Sequence, residues 1–315
     1  MRGQTEQDNK GKLEGFKMQG TVKETTSDKL FDFFNYIIMI MTLIIVGYPM
    51  YFVIIASFSD PDLVNRGEVL FWPKGFTLLG YQRLFHYPQI VTGYKNTILY
   101  TIVGTVVGVF LTLSAGYAIS RRDLFGRRFI ILMFTFTLFF NGGLIPTYLL
   151  VKSLGLLDTF WVMIIPTAVS VFNVIIAKSF YEGSWIDELI EAARIDGCGD
   201  LRFFFMIALP LSVPLIAVMT LFYAVGKWNS FFDALIYLKS PEKYPLQLVL
   251  RDILISNQVT MGGAMQDVSD ITQRLKTAQL VKYSIMIISS LPILVFYPFV
   301  QKYFVKGIML GAIKG

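Results

Sequence analysis

The chain has 315 residues, of which 54% are hydrophobic and 16% charged, and its mean hydropathy is +0.58. A soluble domain of this length cannot bury so much apolar surface, so the composition predicts a membrane protein. The formal net charge is +6, but the basic residues lie mostly at the edges of apolar blocks, which disfavours nucleic acid as a partner. Cys198 is the only cysteine, which excludes an intrachain disulfide.

Six apolar blocks have about the length that a helix needs to cross a hydrocarbon core of roughly 30 Å. In chain order they cover residues of about 33–57, 97–119, 129–151, 160–177, 211–235 and 283–300. The fifth block alone contains charged residues, Lys227 and Asp233, and both come late in it, beside Trp228. We expect these two side chains to reach the membrane surface as interfacial anchors. The predicted fold class is therefore all-α, a polytopic membrane protein with six transmembrane helices.

The distribution of basic residues predicts the orientation of these blocks. The tail 1–30 and the short loop 121–128 are rich in Lys and Arg, which places both in the cytoplasm. An even number of spans returns the C-terminal tail, 303–315, to the same side. The long segments 58–95 and 236–282 are then exterior, and helical periodicity from Pro245 to Ile255, before the Gly262-Gly263 break, predicts an ordered surface where an exterior partner could dock. The domain organisation is a tail followed by one transmembrane domain, 31–315.

The cytoplasmic loop 184–210 has the pattern of two short helices joined by a glycine turn. Ser184, with Asp187 three residues later, predicts a helix start, and Gly197 predicts a stop, so a helix is expected from Trp185 to Asp196. Asp200 can cap a second short helix that runs toward Pro210. On the first helix the apolar face and the charged face are opposite each other; the apolar one holds Ile186, Leu189, Ile190, Ala193 and Gly197, and the charged one Asp187, Glu191 and Arg194. Periodicity leaves two interpretations open, a docking element or an ordinary interfacial helix.

A resemblance to a known family favours the first interpretation. The matching residues are Glu191, Ala192, Ala193, Asp196, Gly197, Phe204, Ile207, Leu209 and Pro210. Together they resemble the EAA loop of bacterial ABC importer permeases, which in that family inserts into a cleft of the ATPase subunit. Cys198 stands where a small residue such as alanine is usual. The resemblance extends from about Phe31 onward and is strongest to the second permease of carbohydrate importers of the maltose type. The segment from Phe139 to Trp161 is similar to the branch that handles complex oligosaccharides, including those from pectin-like polysaccharides.

The resemblance implies a set of partners in a bacterial cell membrane. These are a second homologous permease, an ATPase dimer that binds ATP and Mg²⁺, and an extracytoplasmic solute-binding protein, while this chain itself binds no cofactor or metal and is not an enzyme. The sequence shows neither a phosphate-binding G-x-x-x-x-G-K-[ST] loop nor an H-E-x-x-H motif. The alternative is an ion-coupled secondary transporter. It would keep an ionisable pair or relay at mid-membrane, and five of the six blocks contain no charged residue.

Polar and aromatic residues inside the blocks are candidates for contact with a solute. They are Asn141, Thr147, Tyr148, Ser170, Asn173, Tyr223, Trp228, Asn229 and Phe232. Aromatic faces and amide groups suit sugars, although each of these residues could equally serve packing or hydrogen bonding between helices. Gly142-Gly143 and Pro146 predict a locally broken helix, which is tolerated at depth only where it packs against protein or lines a cavity. The break is the strongest sequence indication of a pathway.

Overall fold

A computed structural model describes residues 25–259 and 281–298, and within these ranges the chain is helical with no β-strand. Several predictions lie outside the described residues: most of the tail 1–30, the Gly262-Gly263 break, the last two residues of the sixth block, and the tail 303–315. The chain divides into two compact units, Met1–Phe52 and Val53–Gly315, and the second contains every contact described below. In chain order the α-helices are α1 (Thr26–Ser57), α2 (Pro61–Asn65), α3 (Leu79–Phe85), α4 (Pro88–Ser120), α5 (Arg127–Phe139), α6 (Leu144–Ser153), α7 (Val171–Tyr181), α8 (Ser184–Ile195), α9 (Asp200–Leu211), α10 (Val213–Trp228), α11 (Phe232–Tyr237), α12 (Leu246–Val259) and α13 (Val281–Pro298).

Three of the described helices, α1, α4 and α13, are individually long and apolar enough to cross a membrane. Three bent pairs pass the same test together: α5 with α6, the segment Phe160–Thr167 with α7, and α9 with α10, bent by 117°, 52° and 81°. The described part of the chain thus supports three crossings, or up to six if each bent pair is one span. Five of the six predicted blocks fall on one of these helices or pairs, whereas the fifth, 211–235, overlaps mainly α10 and continues into α11.

The predicted break in the third block is confirmed. Helix α5 ends at Phe139 and α6 begins at Leu144, and between them Gly143 has φ +85°, a left-handed conformation that favours glycine. The Asn141 side chain accepts a hydrogen bond from the backbone N–H of Gly143 at 2.9 Å, which stabilises the turn. Asn141 therefore has a local structural role at the break.

The fourth block is not the continuous helix that its apolar run suggested. Residues Phe160–Met163 and Ile165–Thr167 form two short 3₁₀ turns, and the α-helix begins only at Val171 and runs on to Tyr181. Pro166 explains the interruption, because its ring removes a backbone donor and disfavours helical backbone at the residue before it. The interruption leaves several backbone carbonyls without helical partners.

The fifth block, predicted over 211–235, is also shorter as a helix, because α10 ends at Trp228 and α11 forms separately. The prediction that Lys227 is an interfacial anchor is wrong. Its side chain is only 5% exposed, and its ammonium donates to the carbonyl of Met163 at 2.7 Å. The carbonyls freed by the 3₁₀ turns of the fourth block draw this cation inward, since a buried ammonium needs acceptors.

Helix α4 lies at the centre of the second unit and packs against α7, α10 and α12. Small residues on α4 permit these close approaches. A Cβ atom at Gly116 would lie 2.5 Å from the Cβ of Ala177 on α7, and one at Gly93 would lie 3.1 Å from the Cα of Leu246 on α12. At the end of α4 that leads to loop 121–126, Tyr117 joins a buried cluster that also holds Tyr181 and the apolar face of α8. The core therefore ties α8 to the helices of the bundle.

Candidate functional site

Helix α8 is fixed to the bundle by one apolar face. Ile186, Ile190 and Ala193 are buried in the cluster that contains Tyr117 and Tyr181. Their spacing of four and three residues is the helical period that predicted this face. The helix starts at Ser184, one residue earlier than predicted, after Gly183 in an extended conformation. Leu189 was expected on the same face, but it lies at its edge and is 36% exposed.

The predicted glycine turn at the end of α8 is confirmed. Gly197 has φ +72°. The N–H of Cys198 donates to the Ala193 carbonyl at 2.8 Å and that of Gly197 to the Arg194 carbonyl at 3.0 Å. This pair of bonds is the Schellman motif, in which a left-handed residue satisfies the last carbonyls of a helix. The chain leaves α8 at a fixed angle and enters α9.

The predicted second helix, α9, is present, but Asp200 is its first residue and not its cap, because Gly199 takes the N-cap position. The aromatic residues of α9 anchor it to the same cluster. Phe203 and Phe204 are buried there, and Leu209 packs against the cluster, while Pro210 is exposed. A π-helical stretch covers Phe204–Ala208. The two helices thus form a compact pair whose apolar side is built into the bundle core.

The predicted coupling residues divide into two groups by exposure. Ala193 and Phe204 are buried and Leu209 is half-buried, and these three hold the pair in place. The exposed members are Glu191, Ala192, Asp196, Gly197 and Pro210. Two apolar side chains that the sequence did not single out are strongly exposed near the turn, Ile195 at 87% and Leu201 at 77%. An exposed carboxylate beside exposed aliphatic side chains is suited to docking against a protein partner.

Ion pairs join α8 to the basic loop between α4 and α5. A guanidinium nitrogen of Arg194 lies 2.5 Å from a carboxylate oxygen of Asp123, and one of Arg122 lies 3.6 Å from Asp187. The hydrogen bond from Arg194 holds the pKa of Asp123 below its ordinary value. Arg127 of α5 also pairs with Glu182, which comes just after α7. The sequence did not predict these contacts, although opposite charges on the loop and on α8 were a signal for them.

The candidate solute residues do not form one cluster. Tyr223 and Ser170 are in contact, since the N–H of Ser170 donates to the Tyr223 hydroxyl at 3.0 Å. Trp228 is buried in a different cluster, and its indole N–H donates to the Ser289 carbonyl at 2.9 Å. Tyr148 stacks on Tyr237 with ring centroids 6.3 Å apart. Each of these three aromatic residues contacts another helix, and its role in solute contact stays a prediction.

The remaining candidates lie near breaks and helix ends. Asn229, at the end of α10, is exposed, and its amide donates to the Val225 carbonyl one turn earlier at 2.9 Å. Thr147 likewise donates to the Gly143 carbonyl at 2.8 Å, and Phe232 is 52% exposed. Asn173 is buried on α7. A role of any of them in solute contact stays a prediction.

Comparison with known proteins places the chain in a family. Residues 104–310 match the family described as binding-protein-dependent transport system inner membrane component. The chain belongs to this family. Protein LplC of Bacillus subtilis is 41% identical, with 94% of this chain and 98% of that protein covered. The polygalacturonan/rhamnogalacturonan transport system permease protein YtcP of the same organism is 40% identical, with 91% and 99% covered.

A solved structure agrees with the family assignment. The permease aligns with a chain of a bacterial ABC transporter involved in the import of the acidic polysaccharide alginate, with a TM-score of 0.79 and 31% identity, covering 90% of this chain and 100% of that chain. An arabinooligosaccharide transport system permease protein, AraQ of Halalkalibacterium halodurans, is 30% identical over 85% of this chain and 91% of its own. The permease therefore has the ABC importer fold, and none of these similarities supports an ion-coupled secondary transporter.

Sequence reasoning missed the most connected polar residue of the permease's described core. Besides the Met163 carbonyl, the Lys227 ammonium donates to Thr167 Oγ1 at 2.5 Å and lies 3.4 Å from the Ile164 carbonyl. All three acceptors lie in the 3₁₀ region of the fourth block. Pro166 signals a break there, but nothing in the sequence says that a cation on another helix fills it.

Proposed function

We propose that this chain is one of the two permease subunits of an ATP-driven oligosaccharide importer. It crosses the bacterial cell membrane six times, with both tails, the loop 121–126 and the α8–α9 pair in the cytoplasm. A second, homologous permease completes the path, an ATPase dimer binds below, and a solute-binding protein delivers the sugar from outside. ATP and Mg²⁺ bind to the ATPase subunits, and this chain carries out no chemistry.

The observation that carries the proposal is the form of the α8–α9 pair. One face is built into the bundle core through Ile186 and Phe204, the turn at Gly197 is fixed by the backbone, and Glu191 projects on the exposed side. A rigid element with an exposed charged edge can transmit a displacement, because packed helices shift between discrete arrangements and do not deform continuously. Closure of an ATPase dimer around nucleotide would move this pair and, through the cluster at Tyr117 and Tyr181, the spans above it.

Contacts between loops support the proposed topology. The pair Asp123–Arg194 joins the loop 121–126 to α8, two segments for which the charge distribution predicts the same cytoplasmic side. Asp158 accepts hydrogen bonds from the backbone N–H groups of Lys239 and Ser240. Lys239 and Ser240 lie in the predicted exterior segment 236–282, and the six-span order puts the loop between the third and fourth blocks, which contains Asp158, on the same side. Two independent contacts thus connect segments that the six-span arrangement puts on one side.

The substrate class follows from the relatives. Two of those described above carry names that refer to acidic polysaccharides, polygalacturonan/rhamnogalacturonan and alginate, and another to arabinooligosaccharides. We infer that the cargo is an oligosaccharide from a plant-type or other complex polysaccharide. Aromatic residues near the helix breaks, such as Phe232 and Tyr148, could offer faces to sugar rings.

Charge reversal at Glu191 tests the coupling role. In the complete importer reconstituted in proteoliposomes, Glu191→Arg is expected to lower ATP-dependent uptake of oligogalacturonides at least about tenfold and to release the ATPase during purification, because it places a cation where the partner's surface accommodates a carboxylate. Glu68→Arg, on an exposed residue of the predicted exterior segment, is the matched control and should leave both unchanged. Full uptake and full ATPase retention with Glu191→Arg would contradict the proposal.

A further inference from the structure

The segment 163–170 between the two halves of the fourth block takes its hydrogen bonds from another helix. Its 3₁₀ turns end at Thr167, and α7 begins only at Val171. The carbonyls of Met163 and Ile164 and the hydroxyl of Thr167 all accept from the Lys227 ammonium, at 2.7, 3.4 and 2.5 Å. No carboxylate lies within ion-pair distance of Lys227 among the described residues. The ammonium is therefore committed to this segment.

Tyr223 binds the other end of the same segment. It precedes Lys227 by one helical turn on α10 and is buried, and its hydroxyl accepts from the N–H of Ser170 at 3.0 Å. The same hydroxyl lies 2.5 Å from Thr112 Oγ1 on α4. Residues four apart project from the same face of a helix, so α10 is hydrogen-bonded to the segment at two points.

Two glycines on α4 make room for these side chains. A Cβ atom at Gly104 would lie 2.8 Å from Lys227 Cε, and one at Gly108 would lie 2.7 Å from Tyr223 Cδ1. Gly104 and Gly108 are also four residues apart, so they form one groove on α4 that both side chains occupy. Close contact with this groove restricts the side chains of Lys227 and Tyr223 to the conformation in which they reach the segment. A residue larger than glycine at position 104 or 108 would leave them no space.

The far end of α7 is bonded to the start of α10 as well. Tyr181, the last residue of α7, accepts a hydrogen bond at its hydroxyl from Ser212 Oγ at 2.9 Å, and Ser212 lies at the 81° bend between α9 and α10. Helix α8 follows three residues after Tyr181. Helices α7 and α10 are thus joined at both ends and flank the α8–α9 pair on both sides along the chain.

We propose that Lys227 and Tyr223 are positioning residues of the transport cycle, which lock the segment 163–170 to α10 so that α7 and α10 move as one body when α8 is displaced. The inference rests on the proposed importer function. Without the hydrogen bonds with Lys227 and Tyr223, the segment would change conformation when α8 moves, and α10 would not follow α7. ATP hydrolysis would then continue while the exterior halves of the fourth and fifth blocks no longer follow it.

The test measures sugar transported per ATP hydrolysed in the complete reconstituted importer. Lys227→Met keeps the length and apolar stem of the side chain and removes the ammonium, and Tyr223→Phe keeps the ring in the groove and removes the hydroxyl. Each variant is expected to retain the ATPase and to lower the sugar-to-ATP ratio at least about fivefold, the lower end of typical coupling effects. The double variant should lower the ratio by less than the product of the two effects, since both residues hold one segment. Lys152→Met, at an exposed lysine of α6, is the matched control and should leave the ratio unchanged.

A purely structural role would have a different signature. If the amount of assembled complex, ATP hydrolysis and uptake all fell in parallel while the sugar-to-ATP ratio stayed constant, the proposed positioning role would be disproved. The same conclusion would follow if neither variant changed the ratio. If Lys227→Met fails to assemble, Tyr223→Phe decides alone, because it removes a single oxygen atom. Failure of the proposed importer function is distinct, since the unmodified complex would then show no ATP-dependent uptake at all.

Discussion

Asp158 combines an unusual backbone conformation with a carboxylate that accepts several hydrogen bonds. It is the one non-glycine residue with positive φ, +57°, among the described residues. Its carboxylate accepts from the N–H of Lys239 at 3.0 Å, from the N–H and the hydroxyl of Ser240 at 3.1 and 2.6 Å, and from the Lys243 ammonium at 3.1 Å. The hydroxyl of Ser240 first, and then the two backbone N–H groups, hold the pKa of Asp158 well below its ordinary value.

The charge of Asp158 gives a pH-dependent prediction. A carboxyl group whose pKa is lower in the folded state stabilises the fold fully above its unfolded pKa of about 3.9, and this contribution is lost as the pH falls through the lower folded value. Asp158→Asn tolerates the left-handed backbone but lacks the charge, so we expect its thermal midpoint to lie below that of the unmodified protein by a constant few degrees, about 2–4 °C, from pH 7 to 5. The difference should shrink below about pH 4. A difference that grows on acidification would contradict this account.

Individual side chains were the hardest features to predict from sequence. A local pattern of about 20 residues singles out Glu191 and Gly197 in the sequence, and the structure confirms the turn at Gly197 and the exposure of Glu191. The sequence does not predict the position of Lys227, because its partners Met163 and Thr167 lie some 60 residues away. A lysine near the end of an apolar block turns inward only where backbone carbonyls are available as acceptors. Here a helix break in another block provides those carbonyls. Asp123 is missed for a similar reason, since its bond to Arg194 joins the loop 121–126 to α8, 71 residues further along the chain.

Helix α8 and its glycine turn are the element on which the account depends. The period of Ile186, Ile190 and Ala193 predicted its buried face, and the position of Gly197 predicted its end, because both features are local. The bends in the third, fourth and fifth blocks were predicted only where glycines mark them. Pro166 breaks the fourth block, but apolar composition alone does not distinguish a helix from 3₁₀ turns that are satisfied by a neighbour.

Two nearby glycines provide a controlled test of the turn. Gly197 has φ +72° with no atom within 4 Å of an added Cβ, and Gly199 has equally open space but φ −77°. Gly197→Ala should therefore cost about 1 kcal/mol purely through the backbone, whereas Gly199→Ala should be close to neutral. If the turn sets the angle between α8 and α9, Gly197→Ala should weaken ATPase binding about fivefold in a titration of the detergent-solubilised permease. Equal binding by both variants would show that the angle of this turn does not matter.

At the scale of the whole molecule, the described chain joins two faces through one packed bundle. On one face, ion pairs connect α8 to the loop 121–126, and buried aromatic residues hold α9 beside α8. On the other face, Asp158 joins the loop before the fourth block to the loop before α12. Helix α4 runs between them and contacts the 3₁₀ region, α7 and α10. Within the second unit, a displacement of α8 would therefore reach α7 and α10 through packed contacts, as the proposed coupling to an ATPase requires.

The side of the membrane on which α8 lies tests this account most directly. Cys198 is the only cysteine, so Cys198→Ser provides a background in which a single reporter can be introduced. In that background, Ile195→Cys lies at a strongly exposed position of α8, and Glu68→Cys lies in the predicted exterior segment. The reagent is a membrane-impermeant maleimide, added to intact cells in which it can reach the outer face of the cell membrane. It should label Glu68→Cys and leave Ile195→Cys unmodified until the membrane is permeabilised. Labelling of Ile195→Cys from outside would contradict the cytoplasmic placement of α8 and, with it, the proposed coupling to an ATPase.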